Sequence, residues 1–182
     1  CRAGVEDPND QRRINRLYIN KGNGTFAEEG ASFGLNSGQQ SWVTAFGDID
    51  NDGDQDAFVV NHYGPHEMME NINGQTFKTI EIPNAFSSFS FQAIMRDFDN
   101  DILLTGVEGS ILMQNNRDKT FTIIRDIIGP SQPRSMSCGD FNDDGFLDVH
   151  AHLGEPINDV GLTDDQLWLN ETNQNHYVKF NL

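Results

Sequence analysis

The sequence predicts an all-β chain assembled from repeated units of four antiparallel strands, and three observations predict it. An acidic string, Asp48-Ile-Asp50-Asn-Asp52-Gly53-Asp54-Gln-Asp56, returns as Asp140-Phe-Asn142-Asp-Asp144-Gly145-Phe146-Leu-Asp148, with a truncated relative opening at Asp97. A second string, Leu17-Tyr-Ile-Asn20-Lys-Gly-Asn-Gly24-Thr-Phe26, returns as Met68-Met-Glu-Asn71-Ile-Asn-Gly74-Gln-Thr-Phe77 and as Leu112-Met-Gln-Asn115-Asn-Arg-Asp-Lys-Thr-Phe121. Short β-branched and aromatic runs such as Trp42-Val-Thr-Ala-Phe46 and Ala57-Phe-Val-Val60 flank the first acidic string; such runs read as strands.

Taken in order, residues 16–29 supply a strand, an Asn/Gly turn and a strand, which is a hairpin. Residues 42–81 add the full unit: strand, acidic loop, strand, hairpin turn, strand. Residues 91–125 repeat it with a shortened loop. Residues 134–182 repeat it with a complete loop and a worn hairpin at Leu167-Trp-Leu-Asn170. Four strands in about 45 residues is the size of one β-propeller blade. The chain thus holds about three and a half blades, fewer than the four to eight that typically close a ring. Further blades outside this chain, or association of copies, would complete it; an open array would expose sheet edges.

Oxygen side chains at loop positions 1, 3, 5 and 9, with glycine at 6, suit a hard cation of calcium's size. Alternate residues of a curled loop turn their carboxylates inward, and glycine permits the sharp turn. The expected ligands are Asp48, Asp50, Asp52 and Asp56 with the Asp54 backbone carbonyl, then Asp140, Asn142, Asp144 and Asp148 with the Phe146 carbonyl. Without a cation these carboxylates would repel one another. An EF-hand is excluded: position 12 is Val59 or Ala151 rather than a bidentate Glu, and the flanks are strands. Asp/Asn/Gly clusters also form ordinary turns, but two full copies in matching context favour a metal. The middle copy, Asp97-Phe-Asp99-Asn-Asp101, passes directly into Ile102. Aligned from its first residue it lacks the Gly-x-x-Asp step, so Asp97, Asp99 and Asp101 are read as remnants. Two calcium sites are expected.

The formal net charge is −16, with 12 Lys and Arg. That excludes a general nucleic-acid binder, which needs a basic patch. No apolar run approaches a membrane span. The chain begins without Met or a signal peptide and is expected to be processed or trimmed. Cys1 and Cys138 are too few for a disulfide framework. Cys138 aligns with Phe46 and Met95, a position for a small buried hydrophobe.

The pairing of Leu17-Tyr-Ile-Asn20-Lys-Gly-Asn-Gly24-Thr-Phe26 with Ala45-Phe-Gly-Asp48-Ile-Asp50-Asn-Asp52-Gly53-Asp54-Gln-Asp56 resembles the FG-GAP/VCBS repeats of integrin-α-like propellers. The resemblance runs from about Arg16 to Asn170. The tail Asn175-His-Tyr-Val-Lys-Phe-Asn-Leu182 is similar to the propeller's exit into an ASPIC/UnbV module, as in cartilage acidic protein-like chains; a last blade strand explains it equally well. The resemblance implies calcium in the acidic loops and an adhesion or binding role outside the cell or in the periplasm.

Little in the sequence points to catalysis. His150 and His152 share one face of a strand, but no third ligand is placed beside them. There is no nucleophile elbow, phosphate-cradling loop or zinc-type Cys/His spacing. Asn23-Gly-Thr25 and Asn170-Glu-Thr172 fit the glycosylation pattern, though turn formation already explains Asn23. The expectation is a non-catalytic, calcium-binding recognition or structural module for an extracellular protein or glycan. The competing expectations are a carbohydrate-active enzyme such as a polysaccharide lyase, and a subunit of a larger assembly or fibre. The loops Asn61-His-Tyr-Gly-Pro-His66 and Leu153-Gly-Glu-Pro-Ile157 have the composition of recognition loops.

Overall fold

Side chains alternate across a strand with period two, so a strand buried on both faces must be apolar throughout. Ala57-Phe-Val-Val60 and Ile102-Leu-Leu104 meet that condition, and each lies at the heart of a four-stranded sheet. The computed structural model describes residues 5, 7, 9–62, 64–82, 90–96, 101–106, 108–129, 132–153 and 164–170. The readings placed on Cys1, Tyr63, Asp97, Asp99, His176 and the segments 154–163 and 171–182 lie outside those residues.

The chain opens with a hairpin of β1 (Tyr18–Asn20) and β2 (Phe26–Glu28), then one turn of helix, α1 (Gly30–Phe33). Four residues are too few for a helical period, which is why α1 has no sequence signal. The second sheet is β3 (Ser41–Gly47), β4 (Asp56–Asn61), β5 (Glu67–Ile72) and β6 (Thr76–Ile80). The third is β7 (Ser90–Arg96), β8 (Asp101–Gly106), β9 (Gly109–Asn115) and β10 (Phe121–Arg125). Both are antiparallel with sequential strand order. The last described sheet is β11 (Ser135–Gly139), β12 (Asp148–His152) and β13 (Gln166–Trp168). The architecture is all-β, built of propeller-like sheets, and the described residues do not close a ring.

Register repeats as faithfully as sequence. The hairpin pairs are Asn20 with Phe26, Asn71 with Phe77 and Asn115 with Phe121. Phe46, Met95 and Cys138 face Ala57, Ile102 and Val149 at one equivalent place. Cys138 packs at the edge of a buried cluster, and burial pushes its thiol up to about 11, so it is a packing residue rather than a thiolate.

The sheets stack face to face. Phe58 and Val60 of β4 meet Ile102 and Leu104 of β8 in one cluster, while Ala57 and Val59 turn the other way, towards Leu17 and Leu35. Leu103 of β8 faces Met136 and Ala151 of the last sheet. Burying each such side chain contributes about 1.5–3 kcal/mol. The first strands converge, β3 on β7 and β7 on β11. At this crossing a Cβ on Gly47 would lie 3.1 Å from Met95 Cβ, so a larger residue would force Met95 to give by a few tenths of an ångström.

Candidate metal sites

The first acidic loop joins β3 to β4 and is shaped by its own side chains. Asp48 accepts the N–H groups of Asp52 (3.1 Å) and Gly53 (3.0 Å), curling the chain around its carboxylate. Asp52 accepts the N–H of Asp54 at 3.0 Å. Asn51 and Gly53 take the left-handed conformation, with φ of 61° and 93°; glycine adopts it without cost.

Asp56 closes the loop from the start of β4. Its carboxylate is fully buried and accepts the N–H of Ile49 at 2.8 Å and the N–H of Asn71 at 2.7 Å. One side chain thereby ties the loop to the hairpin strand β5. Burial pushes its pKa up to about 6; the two N–H bonds pull downward, and the charges of Asp50 and Asp54 add to the rise.

The last loop repeats this frame. Asp140 accepts from Asp144 (3.1 Å) and Gly145 (3.0 Å), and Asp144 accepts from Phe146 (2.9 Å). Asp148 accepts from Phe141 (2.8 Å) and Asn170 (2.9 Å), as Asp56 does from Ile49 and Asn71. Asp143 and Gly145 have φ of 65° and 93°. Two loops with different residues at five positions share one backbone.

The middle loop requires a correction. Asp101 pairs with Arg96 across β7 and β8, as Asp56 pairs with Gly47 and Asp148 with Gly139. It accepts the Asn115 N–H at 2.7 Å, the bond that Asp56 makes to Asn71. Asp101 is therefore the closing residue, position 9, not position 5. The deletion removes the steps before it, and β8 runs unbroken from Asp101 through Ile102. Among the described residues of this loop, Asp101 ties the start of β8 to the hairpin strand β9.

The ligand oxygens of the first loop are gathered. Atoms of Asp48, Asp50 and Asp56 all lie within 4.8 Å of one another. Oxygens on opposite sides of one calcium are separated by about 5 Å, twice the bond length, so this spacing is of the right order. Asp50 Oδ1 and Asp54 Oδ1 are buried with no hydrogen-bond partner. Buried carboxylate oxygens without donors are costly, and a cation is what would satisfy them. The residues present in the first loop therefore fit calcium. Asp54, expected to offer its backbone carbonyl, also uses its carboxylate: Oδ2 accepts the Gly74 N–H at 3.2 Å. Partial burial and the charge of Asp52 hold its pKa above the usual carboxylate value. In the last loop the third position is Asn142, whose amide donates to Asp144 Oδ2 at 2.7 Å.

Three further residues, unmarked by sequence, complete the first loop from outside. The hairpin between β9 and β10 places Lys119 Nζ 3.0 Å from Asp50 Oδ2 and 2.6 Å from Glu70 Oε1. Bonds to Glu70 first and then Asp50 hold this lysine's pKa above its ordinary value. Asn115 Nδ2 donates to the Ile49 carbonyl at 2.6 Å. A salt bridge and a hydrogen bond thus join the loop of one sheet to the hairpin of the next.

Comparison with known proteins agrees with this repeat geometry. The FG-GAP-like repeat family matches residues 4–59, which span the first hairpin and the first acidic loop. The chain is 28% identical over 164 aligned residues to cartilage acidic protein 1 of Mus musculus, covering 79% of this chain and 25% of that protein. It is 29% identical over 164 residues to the Homo sapiens protein and 30% over 168 residues to that of Xenopus tropicalis, with the same coverage. The chain therefore spans about a quarter of the length of these relatives. Both resemblances drawn from the motifs, to FG-GAP repeats and to cartilage acidic protein, are found. Among the described residues no helix is long and apolar enough to cross a membrane.

Proposed function

We propose that this run of FG-GAP-like repeats is a non-catalytic recognition module working outside the cell or in the periplasm, with calcium fixing its acidic loops. The observation that carries the calcium reading is the pair of buried, unpartnered oxygens Asp50 Oδ1 and Asp54 Oδ1 beside the gathered carboxylates of Asp48 and Asp56. Asp48, Asp50, Asp52, Asp54 and Asp56 would hold the first ion, and Asp140, Asn142, Asp144, Phe146 and Asp148 the second. Bound calcium supplies positive charge to a loop that otherwise concentrates acid. Extracellular modules bind calcium with dissociation constants of about 10⁻⁴–10⁻³ M. At roughly millimolar calcium and the tighter value, each site stabilises the fold by about 1.4 kcal/mol.

The rim opposite the acidic loops supports the recognition reading. Register shifts after Ser41 and after Ser90 bulge out one residue in each sheet, Trp42 and Phe91. Bulges re-aim side chains and concentrate near binding sites. The two rings lie 6.0 Å apart, His62 sits 4.9 Å from Trp42, and the Arg134 guanidinium lies 5.6 Å over Phe91. Trp42 is 53% exposed. An accessible aromatic platform with a cationic neighbour suits a glycan or a protein side chain.

Thermal unfolding tests the calcium reading. Calcium added to the metal-stripped chain raises the melting temperature by several degrees, and Asp50→Asn loses part of that rise. An unchanged calcium-induced rise in Asp50→Asn, or none in the wild type, contradicts it.

A further inference from the structure

We propose that His150, His152 and Asp165 form a binding site for a divalent transition metal, of the zinc, copper or nickel type, on the open face of the last sheet. Strand β12 sends Val149 and Ala151 into the cluster shared with the third sheet. Period two places His150 and His152 on the opposite face. Strand β13 pairs Leu167 with His150 and Gln166 with Ala151. The register continued by one step sets Asp165 opposite His152, on the histidine face. The side chains meet there: Asp165 Oδ1 is 2.8 Å from His152 Nδ1, and Oδ2 is 3.9 Å from His150 Nε2. The carboxylate stands between the two imidazoles and supplies the third ligand that sequence spacing leaves unplaced.

The donor set selects the ion. Two imidazoles and one carboxylate suit zinc, copper and nickel, whereas calcium prefers oxygens alone. Imidazoles two residues apart on one strand face start about 6.6 Å apart at the backbone; the three donors do not all lie within 4.8 Å of one another, so an ion would draw the half-exposed rings inward by a change of rotamer. All three side chains are about half exposed, at 43%, 53% and 46%, so an ion reaches them from solvent and water can fill the remaining positions. The repeat does not call for histidine here. The equivalent positions in the second sheet carry Phe58 and Val60, both fully buried in the core. The site shares no residue with the acidic loops and stands apart from the calcium reading.

The test is a calorimetric zinc titration of the untagged, metal-stripped chain in roughly millimolar calcium, which fills oxygen-only sites first. The expected result is one zinc per chain with a dissociation constant below about 10⁻⁴ M. His152→Gln and Asp165→Asn should each weaken it about 10-fold or more, while His62→Gln leaves it unchanged. Cobalt added in place of zinc should give a visible absorption band that the His150→Gln/His152→Gln double variant lacks. Absence of zinc binding at that affinity overturns the proposal, as does full binding by a double variant whose thermal melt matches the wild type.

Discussion

The two complete acidic loops share one backbone and sit in different surroundings. In both, the first aspartate curls the chain and the last one staples it to a hairpin. Yet the second residue of the first loop, Ile49, is 2% exposed, and its counterpart Phe141 is 53% exposed. The first loop lies under the next sheet's hairpin, which contributes Asn115 to its carbonyl and Lys119 to Asp50. The local string sets the shape of a loop, and the neighbouring sheet sets its burial and its charge balance. That division leaves Ile49 of the first loop covered and Phe141 of the last in solvent.

Truncating the second residue of each loop separates shape from cover most strongly. Ile49→Ala should destabilise the chain by about 2–5 kcal/mol, because it opens a cavity in the core between the second and third sheets. Phe141→Ala should change stability by less than about 0.5 kcal/mol. Urea denaturation of both variants checks this, and equal losses would break the comparison.

Acid sharpens it next, through the covered region. His66 is buried between the second and third sheets; it accepts the Asn61 N–H at 3.2 Å and lies 3.3 Å from Ser90. Burial lowers its pKa from 6.5 to about 4. The unfolded chain binds this proton first as pH falls from 6.5 to 4, so up to about 3 kcal/mol of stability is lost over that window. Asp56 works in the opposite sense. Its folded pKa, about 6, lies above the ordinary 3.8, so without metal the fold gains stability as pH falls through the same range. In chelator the two slopes largely cancel. In saturating calcium Asp56 stays ionised and the His66 slope emerges, which His66→Gln should flatten. Urea midpoints at pH 7 and pH 5, with and without calcium, give the comparison.

The smallest effect belongs to Lys119. It is a bound cation beside a metal-ligand carboxylate, so Lys119→Met should tighten calcium at the first loop and leave the last unchanged. Its side chain is 43% exposed, which limits the change to under about 1 kcal/mol, or roughly 5-fold. A shift of the same size at the last loop would show that Lys119 acts through the chain's net charge rather than through Asp50.

Legibility in the sequence followed whether a feature was local. The acidic loops and the Asn-to-Phe hairpins are contiguous strings, so strand order and antiparallel pairing could be read directly. The role of Asp101 could not. Deleting positions 5–8 or positions 6–9 leaves the same letters, and the register opposite Arg96 with the bond to the Asn115 N–H distinguishes them. Asn115 reaches Ile49 across 66 residues, a contact set by sheet stacking rather than by any motif. Asp165 lies outside every repeat string, so its place beside His152 emerges only from the β12–β13 register.

The most direct test is a calorimetric calcium titration of the metal-stripped chain, run beside Asp52→Ala and Asp144→Ala, which alter the same position in the two loops. The account predicts two binding events, the tighter lost in Asp52→Ala and the weaker lost in Asp144→Ala. The absence of binding, or a stoichiometry that neither variant changes, would contradict it.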